Sequence, residues 1–402
     1  MRKYSALLLF MFVLGIWGCE NYVQNVDPLI NQVEDDRLND PSQVDFLIKG
    51  VLQRLSTTAS NMGMLAGGLS DELVFDQDLP RATFPSYREI NEGQIPLDNN
   101  SVDGLSFNLN EARFFADDLI RRVNEIEGID PDTRNLALYT ANLVGGLTRQ
   151  YLASYWALNP EEPGGVIDAG PFIPADDMYQ LALEKYQEAL KYAASDYDAK
   201  VIHTLMARIF LIQGDYASTA THAAMGLQMG DEPFLAKYSV ETPNAYFFGG
   251  HEKGRIQWIV DFRFNDYIQA DPKEANRIKI ASTTGTSGKT YYYQNMFDER
   301  ESPFPITSWQ ENTLMLAEVD VRNGDTASAL TRINALRASY GLDPLASVDL
   351  DVIYVERDKT LFLTGMRLID QNRFGRWHLP PGTWHYLPIT ERERNANDNL
   401  KN

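Results

Sequence analysis

Residues 199–230, AKVIHTLMARIFLIQGDYASTATHAAMGLQMG, restrict the possible folds more than any other stretch of this chain. Ile202, Leu205, Met206, Ile209, Phe210 and Ile212 recur at three- and four-residue steps, which lays an apolar stripe along one helix. Gly214 can take the left-handed conformation that ends a helix, and Asp215 can accept the free N–H groups of the next. Tyr216, Ala220, Ala223, Ala224 and Leu227 then share a face, with alanines small enough to let two backbones approach. The spacing predicts two antiparallel helices joined by a very short turn.

The same grammar returns at 309–340. WQENTLMLAEVDVRN is closed by Gly324 and Asp325, and TASALTRINALRASY stops at Gly341. Two copies of helix, Gly-Asp, helix resemble tetratricopeptide-type hairpins, though without the full repeat of about 34 residues. Neither copy holds a catalytic constellation, so the pair argues for a scaffold.

The first eighteen residues read as a targeting segment. Arg2 and Lys3 precede an apolar run, Ala6 to Ile16, that is short for a membrane span. Cys19 follows Gly18 and is the only cysteine, so no internal disulfide can form. Its position resembles the lipobox of bacterial lipoproteins, which implies lipidation at Cys19. Residues 19–40 are polar and acidic, suited to a tether, and 41–402 form one domain. With 36 basic and 56 acidic residues the formal charge is −20, which disfavours nucleic acid and anionic membrane surfaces as partners.

Amphipathic helices are expected to start at Pro41, near Leu105 and at Pro131, with Gly145 and Gly146 marking a close approach to a neighbour. Another follows Asp176 and Asp177, read as its cap, and the hairpin region spans about 177–229. Residues 159–174 read as a Pro/Gly loop. Residues 255–264, RIQWIVDFRF, alternate like a strand, paired with 246–248. Residues 266–302 read mostly as loop, and 349–368 as one long helix. The expected fold is mainly α: helical hairpins forming a scaffold, long loops and a minor β-hairpin.

Catalytic signatures are missing. TTGTSGKT at 283–290 lacks the glycine of a phosphate loop and reads as a flexible surface loop. His203, His222, His251, His378 and His385 show no metal-ligand spacing, and no Gly-x-Ser-x-Gly elbow occurs. The pairs Asp71/Glu72 and Asp117/Asp118 are explained by helix faces and caps. Binding chemistry is better represented. Sugars and peptides are held by aromatic faces with convergent polar groups, and two loop-rich stretches, 76–102 and 234–304, carry them. The candidate ligand residues are Arg81, Phe84, Tyr87 and Asn91, with Tyr267, Tyr291, Tyr292 and Tyr293. Trp156, Trp309 and Trp377 read as core, whereas Trp258 can face either way.

Four features together resemble the SusD/RagB family of surface nutrient-binding lipoproteins. They are the Cys19 anchor, the two hairpins, the helix VERDKTLFLTGMRLIDQNRFGRW and the ending YLPITERERNANDNL. In that helix Glu356, Arg357, Leu361, Gly365, Arg367, Asp370, Arg373 and Gly375 match the family pattern, while Thr360 and Thr364 replace its usual glutamates. Physically, Glu356, Arg357, Arg367 and Asp370 are read as an ion-pair network locking the last helix onto the hairpins. The resemblance implies a non-enzymatic, outer-membrane, lipid-anchored protein facing the cell exterior. It would capture an oligosaccharide or peptide and pass it to a SusC-like TonB-dependent transporter, acting as a lid. No cofactor is implied, although the acidic loops are compatible with a structural Ca²⁺. The alternatives are a secreted glycoside hydrolase or lyase on a helical frame, and a tetratricopeptide-like adaptor that binds protein alone.

Overall fold

The computed structural model describes residues 35–401. The expected targeting segment, Cys19 and the tether as far as residue 34 lie outside these. Residues Asp35–Asn39 form a 3₁₀ turn docked on the body, where the Arg122 guanidinium meets Asp35 and donates to Asn39 Oδ1 at 2.8 Å.

Helices carry the frame. They are α1 (Val44–Leu69), α2 (Pro85–Asn91), α3 (Asn100–Glu125), α4 (Pro131–Tyr155), α5 (Ala175–Leu190), α6 (Asp196–Gln213) and α7 (Tyr216–Ala224). After them come α8 (Ala245–Gly250), α9 (Phe262–Ala270), α10 (Trp309–Arg322), α11 (Thr326–Ser339), α12 (Leu350–Thr360), α13 (Met366–Arg373) and α14 (Glu391–Ala396). Each long helix packs on the next: α1 on α3 and α4, α4 on α5, α5 on α6, and α7 on α10. Both expected hairpins are present. Gly214 ends α6 at φ 76°, and the Asp215 side chain accepts from Ser218 N. Gly324 follows α10 at φ 82°, and Asp325 accepts from Ser328 N. The apolar stripes of both hairpins face inward, with Ile202, Leu205, Ile209, Leu314, Ile333 and Leu336 fully buried.

Gly146 is required by packing, because a Cβ there would lie 2.4 Å from the Tyr186 ring. That contact lets α4 and α5 run closely together. The two hairpins are bolted by a buried ion pair, Arg208 of α6 with Glu311 of α10, in which both arms are 2.6 Å long. Arg208 also donates to Ile306 O, and Thr307 Oγ1 donates to Glu311. Burial alone would disfavour both charges, so the two-armed geometry is what holds them.

Several expectations are corrected. The 349–368 helix is broken between α12 and α13, where Leu363 sits at φ 63° and Gly365 at φ 81°. The cause is tertiary: Leu363 N donates to the buried Glu72 carboxylate at 2.8 Å, and a Cβ on Gly365 would lie 3.0 Å from Gly63 Cα. The ion-pair network exists around this break. Arg357 binds Asp370, Arg373 binds both Asp370 and Glu318 of α10, and Glu356 binds Arg277 and Arg337 of α11. Arg367 instead reaches Asp71, just past the end of α1.

Residues 246–248 are helical and form no strand ladder with 255–264, the backbone bond from Arg255 N to Phe248 O being a single contact. In that stretch only Ile259–Val260 is a strand, antiparallel to Leu73–Val74, and Phe262 already opens α9. The 159–174 loop contains strands Glu162–Gly165 and Ile173–Pro174, joined to Trp156–Asn159 and to Leu387–Pro388 of the tail in a four-stranded sheet. Pro174 precedes α5, and Asp176 and Asp177 lie in its first turn with no side-chain cap. Within 266–302, Ile280–Thr284 and Thr290–Gln294 form a β-hairpin, with Thr283 opposite Tyr291. The pairings of Leu73–Val74 with Ile259–Val260 and of Trp156–Ala157 with Leu387–Pro388 are two residues long and join distant parts of the chain, so alternation along the chain could not reveal them.

Candidate functional site

The segment before α2 is a Pro-containing loop, and it is held from below by one buried side chain. Gln257 Oε1 accepts from Thr83 N at 3.0 Å and from Phe84 N at 3.1 Å, while its Nε2 donates to Arg81 O. Arg81 reaches across to Gly254 O at 2.9 Å, and Arg255 donates to Thr83 Oγ1. Loop 81–84 and segment 254–257 therefore behave as one surface.

An aromatic column rises through that surface. The fully buried Trp258 packs edge-on against Phe75 and stacks on Tyr87, with centroids 5.0 Å apart and planes at 25°. Tyr87 meets Phe84 edge-on at 5.4 Å, and Phe84 emerges 38% exposed. Arg255 lies over the Phe84 ring at 4.8 Å. Nearby, Phe248 is 44% exposed beneath Arg300 at 5.4 Å, and its carbonyl accepts from Arg255 N at 2.7 Å. Within a chain of charge −20, this places the Arg255 and Arg300 guanidinium groups over two exposed rings, with Arg81 bound to the Gly254 carbonyl beside them. Burial pushes the Tyr87 hydroxyl up to about 12, so it is neutral at physiological pH.

The β-hairpin is tied to the same loop. Asp78 accepts from Thr286 Oγ1 and Ser287 Oγ, each at 2.6 Å, and from Ser287 N at 2.8 Å. These hydrogen bonds, the one from Ser287 Oγ foremost, bring its carboxyl down to about 2. The 283–290 segment, expected to be a flexible loop, is thus a pinned hairpin turn. Gly285 is needed there, because a Cβ would lie 2.0 Å from Asp78 Oδ2.

The expected residues divide. Arg81, Phe84 and Tyr87 meet on one surface, and the hairpin brings Tyr291 and Tyr293 to its flank. Tyr291 is buried and donates to Asp76 at 2.8 Å; Tyr293 is buried and donates to Glu252 at 2.7 Å. Tyr292 points to the other face of the strand, edge-on to Phe262 at 6.1 Å. Asn91 is committed internally: it accepts from Phe75 N and donates to Gly68 O and Leu73 O. Tyr267 stands apart, donating to Asp358 beneath Lys359. Phe248, Arg255 and Gln257 were not legible in the sequence because 246–248 and 255–264 imitate paired strands, and Arg300 because no local pattern sets it apart in the 266–302 loop. His203 and His222, distant in sequence, bring their Nδ1 atoms to 3.0 Å across the first hairpin.

No protein-family model matches this chain, and no curated protein does. Solved structures do. A SusD superfamily protein from Bacteroides vulgatus superposes with a TM-score of 0.72 at 13% identity, covering 90% of this chain and 98% of its own. A laminarin-binding SusD-like protein gives 0.71 at 15% identity, covering 89% and 98%. Surface glycan-binding protein A from Bacteroides uniformis gives 0.70 at 12% identity, covering 89% and 98%. The fold of this chain is that of the SusD superfamily.

Proposed function

We propose that this chain is a SusD-type, non-enzymatic glycan-binding protein of the cell surface, taking oligosaccharide at the Phe84 surface. The observation that carries this reading is the pair of exposed rings, Phe84 and Phe248, among Arg81, Arg255 and Arg300 on a loop pinned by Gln257. A sugar presents an apolar C–H face to a ring and hydroxyls to the donors at its edge, and a preorganised loop reduces the ordering cost of binding. The structural neighbours that bind laminarin or surface glycans support the same chemistry. Asp78, beside this surface, is held near 2 by its hydrogen bonds and so cannot serve as a glycosidase acid, which needs a raised pKa.

In this reading Cys19 carries a lipid anchor in the outer membrane, facing outward. A SusC-like TonB-dependent transporter receives the ligand, with the chain as its lid. Among the described residues no helix is long and apolar enough to cross a membrane, which is compatible with attachment through a lipid. The test is a glycan and peptide array on protein lacking residues 1–19, run with wild type, Arg81→Ala and Phe84→Ala. Oligosaccharide binding that both substitutions weaken is the expected result. Peptide binding alone, or binding indifferent to both substitutions, would refute the assignment.

A further inference from the structure

A second cleft lies away from the surface just described and shares no residue with it. It has a volume of about 320 Å³ and lies between α3, the 168–169 turn and the tail helix α14. At its edge α3 displays Phe107 with 53% of its area exposed. Arg392 of α14 lies over that ring at 5.6 Å and faces Asp103 at 3.7 Å. Although Arg392 lies over it, about half of the ring stays open at the edge of the cleft.

Two further features of the wall are unusual. Arg113 is only 4% exposed and lines the cleft; it binds Asp117 at 3.1 Å and Asp168 at 2.5 Å, yet its buried Nε has no partner. A buried donor left unpaired is uncommon and costly. Asp168 itself is held at φ 53°, one of two non-glycine residues with positive φ among those described. The tail fixes this turn, since Asn397 donates to Gly170 O and Asn399 to Ala169 O, both at 2.8 Å. Strain and unsatisfied polarity kept in place by neighbouring structure gather where a ligand is received.

The charges say which ligand. Asp103, Asp168 and Glu393 stand against Arg113 and Arg392, so the cleft has no surplus of cations with which to select an anion. Carboxylates and guanidinium groups alternate instead, matching hydroxyl groups that both donate and accept, beside a ring that suits a C–H face. We propose that this cleft is a second saccharide site, taking a neutral sugar unit stacked on Phe107. The proposal rests on the glycan-binding reading above, and its test separates the two.

Protein lacking residues 1–19 is run in native gels cast with laminarin, xylan, mannan or pectin. The set comprises wild type, Phe84→Ala, Phe107→Ala, Phe107→Trp and the double alanine variant, with thermal melts recorded for each. For a neutral polysaccharide that retards the wild type, Phe107→Ala should weaken binding roughly tenfold, and the double variant should lose more than either single one. Phe107→Trp should hold the polysaccharide at least as well as wild type, an outcome that a merely structural Phe107 would not give. Retardation that Phe107→Ala leaves unchanged while Phe84→Ala weakens it would overturn the second site and leave the first standing. Retardation by pectin alone would overturn the neutral class. Wild type retarded by none of the four would overturn both sites.

Discussion

Glu72 carries a carboxyl cut off from water. Its carboxyl is fully buried, one oxygen accepts from Leu363 N, the other has no partner, and burial pushes it up to about 8. Between its ordinary value and 8 the native state holds a proton that the unfolded chain has released. Stability should therefore fall as pH rises through that window, at up to about 1.4 kcal/mol per pH unit. Glu72→Gln keeps the oxygen that Leu363 needs and removes the titration. Urea midpoints at pH 5 and pH 8 should show the variant gaining on wild type at the higher pH; equal gaps at both would reject the buried carboxyl. His203 and His222 act in the opposite direction. Burial holds both below the usual histidine range, so their contribution is present near neutral pH and is lost as pH falls through that range. His222→Gln should flatten this acid limb in the same experiment. None of this could be read from the chain, where Glu72 is one of two adjacent acids and the histidines are nineteen residues apart.

Among the elements, the two hairpins were legible because everything that specifies them is local: a helical period, a glycine stop and an aspartate cap. How they join was not legible, since Arg208 and Glu311 are 103 positions apart. Removing one partner leaves a buried charge alone, so Glu311→Leu or Arg208→Met should each cost about 3–5 kcal/mol. The double replacement Arg208→Met with Glu311→Leu should cost much less than the two single changes together, which denaturant titrations can resolve. The break between α12 and α13 escaped notice for the same physical reason. Thr360 to Gly365 carries no proline, and the stop is imposed by Glu72 and Gly63 from the far end of the chain. Gly365→Ala must fit a Cβ at positive φ against the α1 backbone and should destabilise by about 1–3 kcal/mol, read as a lowered melting temperature.

At the scale of the whole molecule, a stack of helices supports loops whose own hydrogen bonds hold them in register. Half of the proposed binding surface was legible, because a proline-interrupted loop carries Arg81 and Phe84 out to solvent, while Tyr87 beneath them packs against the core. The other half arrives from residues 248–257 through Gln257, a contact more than 170 positions long that no local pattern encodes. Titration calorimetry settles the central claim most directly, using the oligosaccharide best retained on the array with wild type and Phe84→Ala. The account expects saturable heat with wild type, a loss of roughly tenfold or more in affinity with the variant, and no new reducing ends afterwards. Equal affinities, or a ligand recovered shortened, would contradict it.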